Sequence, residues 1–301
     1  YKIFVLPGVP NFNVYSRAGS DWFKIDDVSG LKKDNNYFKL YYNWPEKTAD
    51  AEYDDWDLTD RWAISLQGKY YTEPMDVVVD MPELDGIPLK LISSGAFYNN
   101  AMVTSLTVKN PIERIAYRAF CNASNLKNVT FYNKGEGIDF IDTLAFSDCR
   151  SLESIDLSNS SITEIPENAF SNCTSLKTVK LPSTVTKIAD DAFANCKKLE
   201  EIQGLSNCKI SEIGKDAFAG CYNLKTFDIS SATITSLPDT ICSNMYALTS
   251  IHLPKTLTSI GTSALEGCKK LEEITGISDC KLTSIGECVR FLQCIERSRP
   301  V

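Results

Sequence analysis

Ile188-Ala189-Asp190-Asp191-Ala192-Phe193-Ala194-Asn195-Cys196-Lys197-Lys198-Leu199 decides the reading of this chain, because its pattern returns along most of the length. The Ala-Phe pair at its centre stands at Ala96-Phe97, Ala119-Phe120, Ala145-Phe146, Ala169-Phe170, Ala192-Phe193 and Ala217-Phe218, and in altered form at Ile241-Cys242 and Ala264-Leu265. Successive pairs are 23, 26, 24, 23, 25, 24 and 23 residues apart. Four residues before each pair stand Ile92, Ile115, Ile141, Ile165, Ile188, Ile213, Leu237 and Ile260; seven before stand Leu89, Ile112, Ile138, Ile162, Val185, Ile210, Ile234 and Leu257. Seven after the Ala come Val103, Leu126, Leu152, Leu176, Leu199, Leu224, Leu248 and Leu271; ten after come Leu106, Val129, Ile155, Val179, Ile202, Phe227, Ile251 and Ile274. A unit this short cannot bury its own apolar side, so units must stack and share one core, which is a solenoid.

Within each unit, a stretch such as Leu176-Lys177-Thr178-Val179-Lys180-Leu181 alternates inward and outward, the period of a strand. One parallel strand per unit follows, and rungs about 4.8 Å apart give a sheet on the order of 40 Å long over the eight units. The opposite wall carries Ile-x-x-x-Ala-Phe, where a small Ala permits a tight turn, Phe fills the interior, and turns with short helical or 3₁₀ pieces are expected.

These units, Ile188 to Leu199 above and Leu253-Pro254-Lys255-Thr256-Leu257-Thr258-Ser259-Ile260, resemble the BspA-like leucine-rich repeats of bacterial surface proteins and some protists. The resemblance spans residues 85–287, the eight repeats plus a partial ninth. It implies a leucine-rich-repeat solenoid: a right-handed superhelix of α/β type, with one short parallel strand per repeat and turns or short helices on the convex side. It also implies export and attachment to host matrix proteins or to other cells. A higher-order repeat lies inside the array. Lys198-Leu199-Glu200-Glu201-Ile202 through Cys208 returns 72 residues later as Lys270-Leu271-Glu272-Glu273-Ile274 through Cys280, which points to duplication of a three-unit block.

Eleven cysteines raise the question of disulfides or a metal. Cys149, Cys173, Cys196, Cys221 and Cys268 share one column with Ala123 and Met245, and no Cys-x-x-Cys occurs, so they read as buried thiols packed as small hydrophobes. No cofactor and no metal is expected.

Outward strand positions build the concave surface on which solenoids bind. One column reads Thr104, Lys127, Glu153, Lys177, Glu200, Lys225, Thr249, Glu272, its charge alternating from rung to rung; the plain reading is a stabilising ladder, the alternative a pattern matched to a partner. The neighbouring columns supply the candidate binding face: Asp156, Lys180, Gln203, Asp228 and His252, then Thr178, Glu201, Thr226 and Ser250, flanked by Ser154 and Glu273. This polar, almost aromatic-free surface suits a protein partner better than a sugar. His252 is the chain's one histidine, which excludes any site needing two imidazoles.

Residues 1–84 differ in kind. They hold all four tryptophans and no cysteine, and Tyr37 to Trp44, Arg61 to Leu66 and Met75 to Asp80 read as strands of a small β-rich N-terminal module, the last beside the first repeat. Trp44, Trp56 and Trp62 are core residues or else contacts for a polysaccharide. Asp50 to Asp60 carries six carboxylates in eleven residues and reads as a solvated loop, without the spacing of a calcium loop. At the other end the ninth unit fails at Arg290, and Cys288, Phe291, Leu292 and Ile295 recur at helical spacing, so 288–301 reads as a capping helix or a foreign tail.

With 31 basic and 39 acidic side chains the net charge is −8, which leaves no basic stripe for nucleic acid. No apolar run reaches a transmembrane length. The chain opens at Tyr1 without an initiator Met or a signal pattern, so a signal or anchor is not present in it and a preceding segment is expected to have been removed. The expected function is that of a non-enzymatic cell-surface or secreted protein that binds a host matrix or cell-surface protein. Glycan binding by the aromatic module is the alternative.

Overall fold

The computed structural model describes residues 94–131 and 137–287 in full. Ahead of them it describes Pro74, the side chains of Asp76 and residues 90–92, and the backbones of the strands Phe12–Ala18, Asp21–Ile25, Asn36–Tyr42, Trp62–Leu66, Met75–Val79 and Leu89–Ile92. The strands expected near residues 37, 61 and 75 are present. The acidic stretch 50–60 and the helix expected after 288 lie outside the described residues.

Each repeat contributes two strands, not the single one expected. The long strands, among them Val103–Val108, Asn128–Phe131, Ser154–Asp156, Thr178–Lys180 and Glu201–Gln203, stack in parallel behind Met75–Val79; Thr226–Asp228, Ser250–His252 and Glu273–Thr275 form a further parallel sheet. The second, short strand ends on the Ile or Leu four residues before the Ala position: Arg114–Ile115, Phe140–Ile141, Glu164–Ile165, Lys187–Ile188, Glu212–Ile213, Ser236–Leu237 and Ser259–Ile260, with Ser284–Ile285 in the partial ninth unit. Two residues with one inward side chain leave too little periodicity to see in sequence.

The short-strand ladder is interrupted before Glu164 and before Ser236. The residue after the Ile normally donates its amide to the previous Ile carbonyl, as Ala189 does to Ile165 at 2.9 Å and Gly261 does to Leu237 at 2.8 Å. At the two interruptions that residue is Pro166 or Pro238, which has no N–H to give.

Inside, every fully described column is apolar and closed to water as far as Leu265, with Ile202 half-buried as the exception; beyond it Cys268, Leu271, Ile274 and Leu282 are half-buried and Ile285 is exposed. Phe97, Phe120, Phe146, Phe170, Phe193 and Phe218 stack face to face with centroids 4.7 to 5.3 Å apart, a spine that adds about 0.5–1.5 kcal/mol per pair to their burial.

The Ala-Phe wall is built of turns. The two 3₁₀ helices among the described residues, Leu205–Asn207 and Ile277–Asp279, sit instead directly after long strands. In the wall, backbone amides alternate between two duties. Asn168, Phe170 and Asn172 donate to Asp190, Ala192 and Ala194 of the next coil at 3.1, 2.9 and 2.8 Å; Ala169, Ser171 and Cys173 donate three residues back within their own turn. No amide in the segment is orphaned. The geometry needs left-handed residues on both sides of the pair, at Asn168 (φ 55°) and Asn172 (φ 60°), and the same two places are left-handed in every turn. Asn, Asp or Gly fills the second of them throughout.

Candidate functional site

Backbone pairing sets the candidate face residues in straight rows. Asp156, Lys180 and Gln203 are direct register partners, as are Ser154, Thr178 and Glu201. Across the next sheet Asp228, His252 and Thr275 form a row, with Thr226, Ser250 and Glu273 beside it. The structure therefore unites the sequence-picked residues in two platforms, and a missing ladder between Glu201–Gln203 and Thr226–Asp228 separates them. Trp44 and Trp56 lie outside the described residues; Trp62 opens a strand whose side chains are not described.

The two platforms are copies of one block with different electrostatics. On the first, Lys180 Nζ reaches Asp156 at 2.8 Å and Lys177 reaches Glu153 at 3.1 Å, while Lys225 at the start of the second reaches back to Glu200 at 3.2 Å. Burial pulls the Asp156 carboxyl up, but hydrogen bonds from Lys180 and Ser158 outweigh it and hold it below the usual aspartate value. Hydrogen bonding and charge from Lys177 hold Glu153 low, and Asp156 raises the Lys180 ammonium. These pairs are about half exposed, so solvent screens them and they mainly orient the side chains. The alternating column thus resolves into discrete pairs rather than a continuous ladder.

On the second platform His252 takes the place of Lys180, 72 residues on, and its Nδ1 bonds the Thr275 hydroxyl instead of the neighbouring Asp228. Asp228 accepts from the amide and hydroxyl of Ser230 at 3.0 and 2.7 Å, as Asp156 does from Ser158 at 3.0 and 2.6 Å. That Asp-x-Ser signature was open to sequence reading and went unused. A groove of about 630 Å³ runs beside the second row, lined by Asp228, His252, Thr275, Lys209, Lys255 and Asp279. Another of about 570 Å³ opens at the missing ladder. Among the described residues no three His, Cys, Asp or Glu side chains converge to hold a metal ion, and no helix is long and apolar enough to cross a membrane.

Other ordered polar rows went unread in the sequence. Lys187 lies between Glu164 and Glu212 at 3.3 and 3.5 Å on the short strands. On the turn wall Asn122 Nδ2 donates to Asn99 Oδ1 at 2.8 Å and Asn195 to Asn172 at 3.2 Å. Four side chains at one position of successive coils, Lys197, Tyr222, Tyr246 and Lys269, stack on one another, the two tyrosine rings 4.9 Å apart.

A sequence profile of the BspA-type leucine-rich repeat region matches residues 90–210 and 163–296, in six copies. The chain belongs to the BspA-type leucine-rich repeat family. Among solved structures, this BspA-type chain is similar to a leucine-rich repeat protein of T. pallidum, at 23% identity over 70% of this chain and 83% of that one, with a TM-score of 0.46. It is also similar to a leucine-rich cell surface protein of Faecalibacterium prausnitzii (16% identity, 90% and 100% covered, TM-score 0.32) and to a leucine-rich repeat protein of Bacteroides ovatus (18%, 85% and 90%, TM-score 0.32). No curated protein matches the sequence.

Proposed function

We propose that this protein is a non-enzymatic binding protein of the cell surface or the extracellular space that engages a protein partner, a host matrix or cell-surface protein, through its long-strand face. The observation that carries this reading is the register of the outward rows. Ser154, Thr178, Glu201 and Asp156, Lys180, Gln203 project from paired backbones, and Thr226, Ser250, Glu273 and Asp228, His252, Thr275 repeat the arrangement. Polar groups held at fixed spacing lose little entropy on meeting a complementary surface, which favours recognition of another folded surface.

The test is a binding screen of the full chain against immobilised matrix proteins, cell-surface proteins and soluble polysaccharides. Lys180→Glu combined with Thr178→Arg is expected to weaken capture of a protein partner tenfold or more, while Glu266→Lys on the turn wall leaves it unchanged. Loss with the wall variant alone overturns the reading. Polysaccharide capture abolished by Trp62→Ala moves the site to the N-terminal module.

A further inference from the structure

Among the described residues the long-strand ladder is interrupted once, between Glu201–Gln203 and Thr226–Asp228. At the start of each long strand an amide donates to the equivalent carbonyl of the preceding coil. Lys177 donates to Glu153 at 2.8 Å, Glu200 to Lys177 at 2.9 Å, Thr249 to Lys225 at 2.9 Å and Glu272 to Thr249 at 2.9 Å, but no such bond joins Lys225 to Glu200. At the other end of the strands Leu157, Leu181, Ile229 and Leu253 donate to the following coil, and Gly204 makes no bond to Asp228. The same two coils stay joined on either side of it: the Asn195 amide donates to Ala219 at 2.7 Å and the Thr233 amide to Ile210 at 2.7 Å. The opening is therefore framed on both sides by closed backbone pairing.

Three consequences meet there. Ile202 is only half-buried, as is Ile274 at the last described rung, while Ile155, Val179, Phe227 and Ile251 in the same column are buried. The groove of about 570 Å³ has Ile202 and Leu205 among its lining and Glu201 and Asp228 on its two banks. Those two carboxylates form no ion pair with any described residue; Glu201 takes a hydrogen bond from Gln203 and Asp228 takes two from Ser230. Lys225 and Glu200 are paired across the opening at 3.2 Å.

We propose that this slot receives an extended peptide segment of the protein partner, of alternating basic and apolar residues, whose backbone bonds the open strand edges. An extended backbone offers the N–H and C=O groups that an unpaired strand edge lacks. Its alternating side chains send apolar groups down onto Ile202 and Leu205 and Lys or Arg outward between Glu201 and Asp228. The inference rests on the protein-binding reading above and adds the chemistry of the bound segment.

The probe is acetyl-Lys-Val-Arg-Val-Lys-amide added to the full chain, with acetyl-Glu-Val-Glu-Val-Glu-amide as control, read by amide exchange resolved by NMR. In the free chain the amides of Ile202, Thr226 and Asp228 are expected to exchange at least tenfold faster than those of Val179 and Ile251. The basic peptide slows them tenfold or more, and the acidic one does not. Glu201→Gln with Asp228→Asn weakens the peptide tenfold or more without moving the melting temperature. Break amides as protected in the free chain as their neighbours, or indifferent to the basic peptide, overturn the slot. If a protein partner is nevertheless captured through Lys180 and Thr178, the slot fails and the face reading stands; peptide protection without any captured protein gives the reverse.

Discussion

Cys196 Sγ donates a hydrogen bond to the carbonyl oxygen of Phe170 in the preceding coil at 3.1 Å, and that oxygen also accepts the Cys173 amide at 3.1 Å. The link recurs from Cys149 to Phe120 at 3.0 Å, Cys173 to Phe146 at 3.1 Å and Cys221 to Phe193 at 3.3 Å. The thiols thus occupy the second lone pair of the carbonyls that carry the aromatic spine, which adds a donor to their role as small hydrophobes.

Thiol chemistry should follow burial. Desolvation pushes Cys221 up to about 12 and raises Cys149, Cys196 and Cys242 well above the usual thiol value, so little reactive thiolate forms at pH 8. Iodoacetamide on the folded protein, mapped by peptide mass, is expected to spare these four and to modify first, among the described cysteines, the half-buried Cys121, Cys268 and Cys280. Alkylation of Cys196 as fast as Cys121 before unfolding would contradict the buried assignment.

The spine itself should be costly to break. Phe170→Ala removes a ring stacked against Phe146 at 5.2 Å and Phe193 at 5.3 Å and leaves a cavity; the expected loss is about 3–5 kcal/mol. Phe170→Leu should cost much less, because Leu265 already holds this position in the last described turn wall. Urea unfolding followed by circular dichroism separates the two. Equal losses would show that shape at the stack matters less than argued. Since neighbouring coils stabilise one another, amide exchange should rise most in the coils of Phe146 and Phe193.

The eightfold apolar columns made the solenoid legible, since a residue buried in every coil cannot vary in polarity. The rows of the face were legible too, because alternation along Thr178-Val179-Lys180 fixes which side chains turn outward. The short strands were not, being two residues long, yet Ile165-Pro166 and Leu237-Pro238 did mark where their ladder stops. The break in the face was beyond reach of pattern: Ile202 keeps the apolar rule of its column, and only the missing bonds around Gly204 and Lys225 reveal it. His252 was read as one more outward residue; its turn toward Thr275 rather than Asp228 depends on side-chain geometry that no spacing encodes.

Two glycines with the same sign of φ should respond oppositely to substitution. At Gly204, φ is 87° and a Cβ would stand 2.5 Å from the Leu181 carbonyl oxygen, which is backbone and cannot move aside. Gly204→Ala is therefore expected to destabilise by roughly 2 kcal/mol or more. Gly220, at φ 75°, occupies the column filled by Asn99, Asn122, Asn172, Asn195 and Asn244, and its nearest obstacle is the Asn195 Oδ1 at 2.7 Å, the end of a side chain. Gly220→Asn should cost less than about 1 kcal/mol and extend the asparagine row. Thermal melts of the two variants decide, and a Gly220→Asn loss matching that of Gly204→Ala would refute the distinction.

Acid should act on two groups with opposite signs. Asp142 is nearly buried (8% exposed), and desolvation raises its carboxyl despite the hydrogen bond it accepts from the Thr143 amide at 2.6 Å. Its charge is disfavoured in the fold, so its contribution to stability improves as pH falls through the raised folded value toward the ordinary aspartate value of about 3.9. Asp156 and Glu153 are held low, so the stability they supply is present above their unfolded values, near pH 4, and is lost as pH falls through the lower folded ones. Melting temperature followed from pH 7 to pH 3 should show Asp142→Asn flattening the curve above pH 4, with no loss at neutral pH. Asp156→Asn should cost a few tenths of a kcal/mol at neutral pH and converge on the parent below pH 4, since an exposed pair contributes no more than that. A difference between Asp142→Asn and the parent that widens below pH 4 would mean that the Thr143 hydrogen bond, rather than burial, governs this carboxylate.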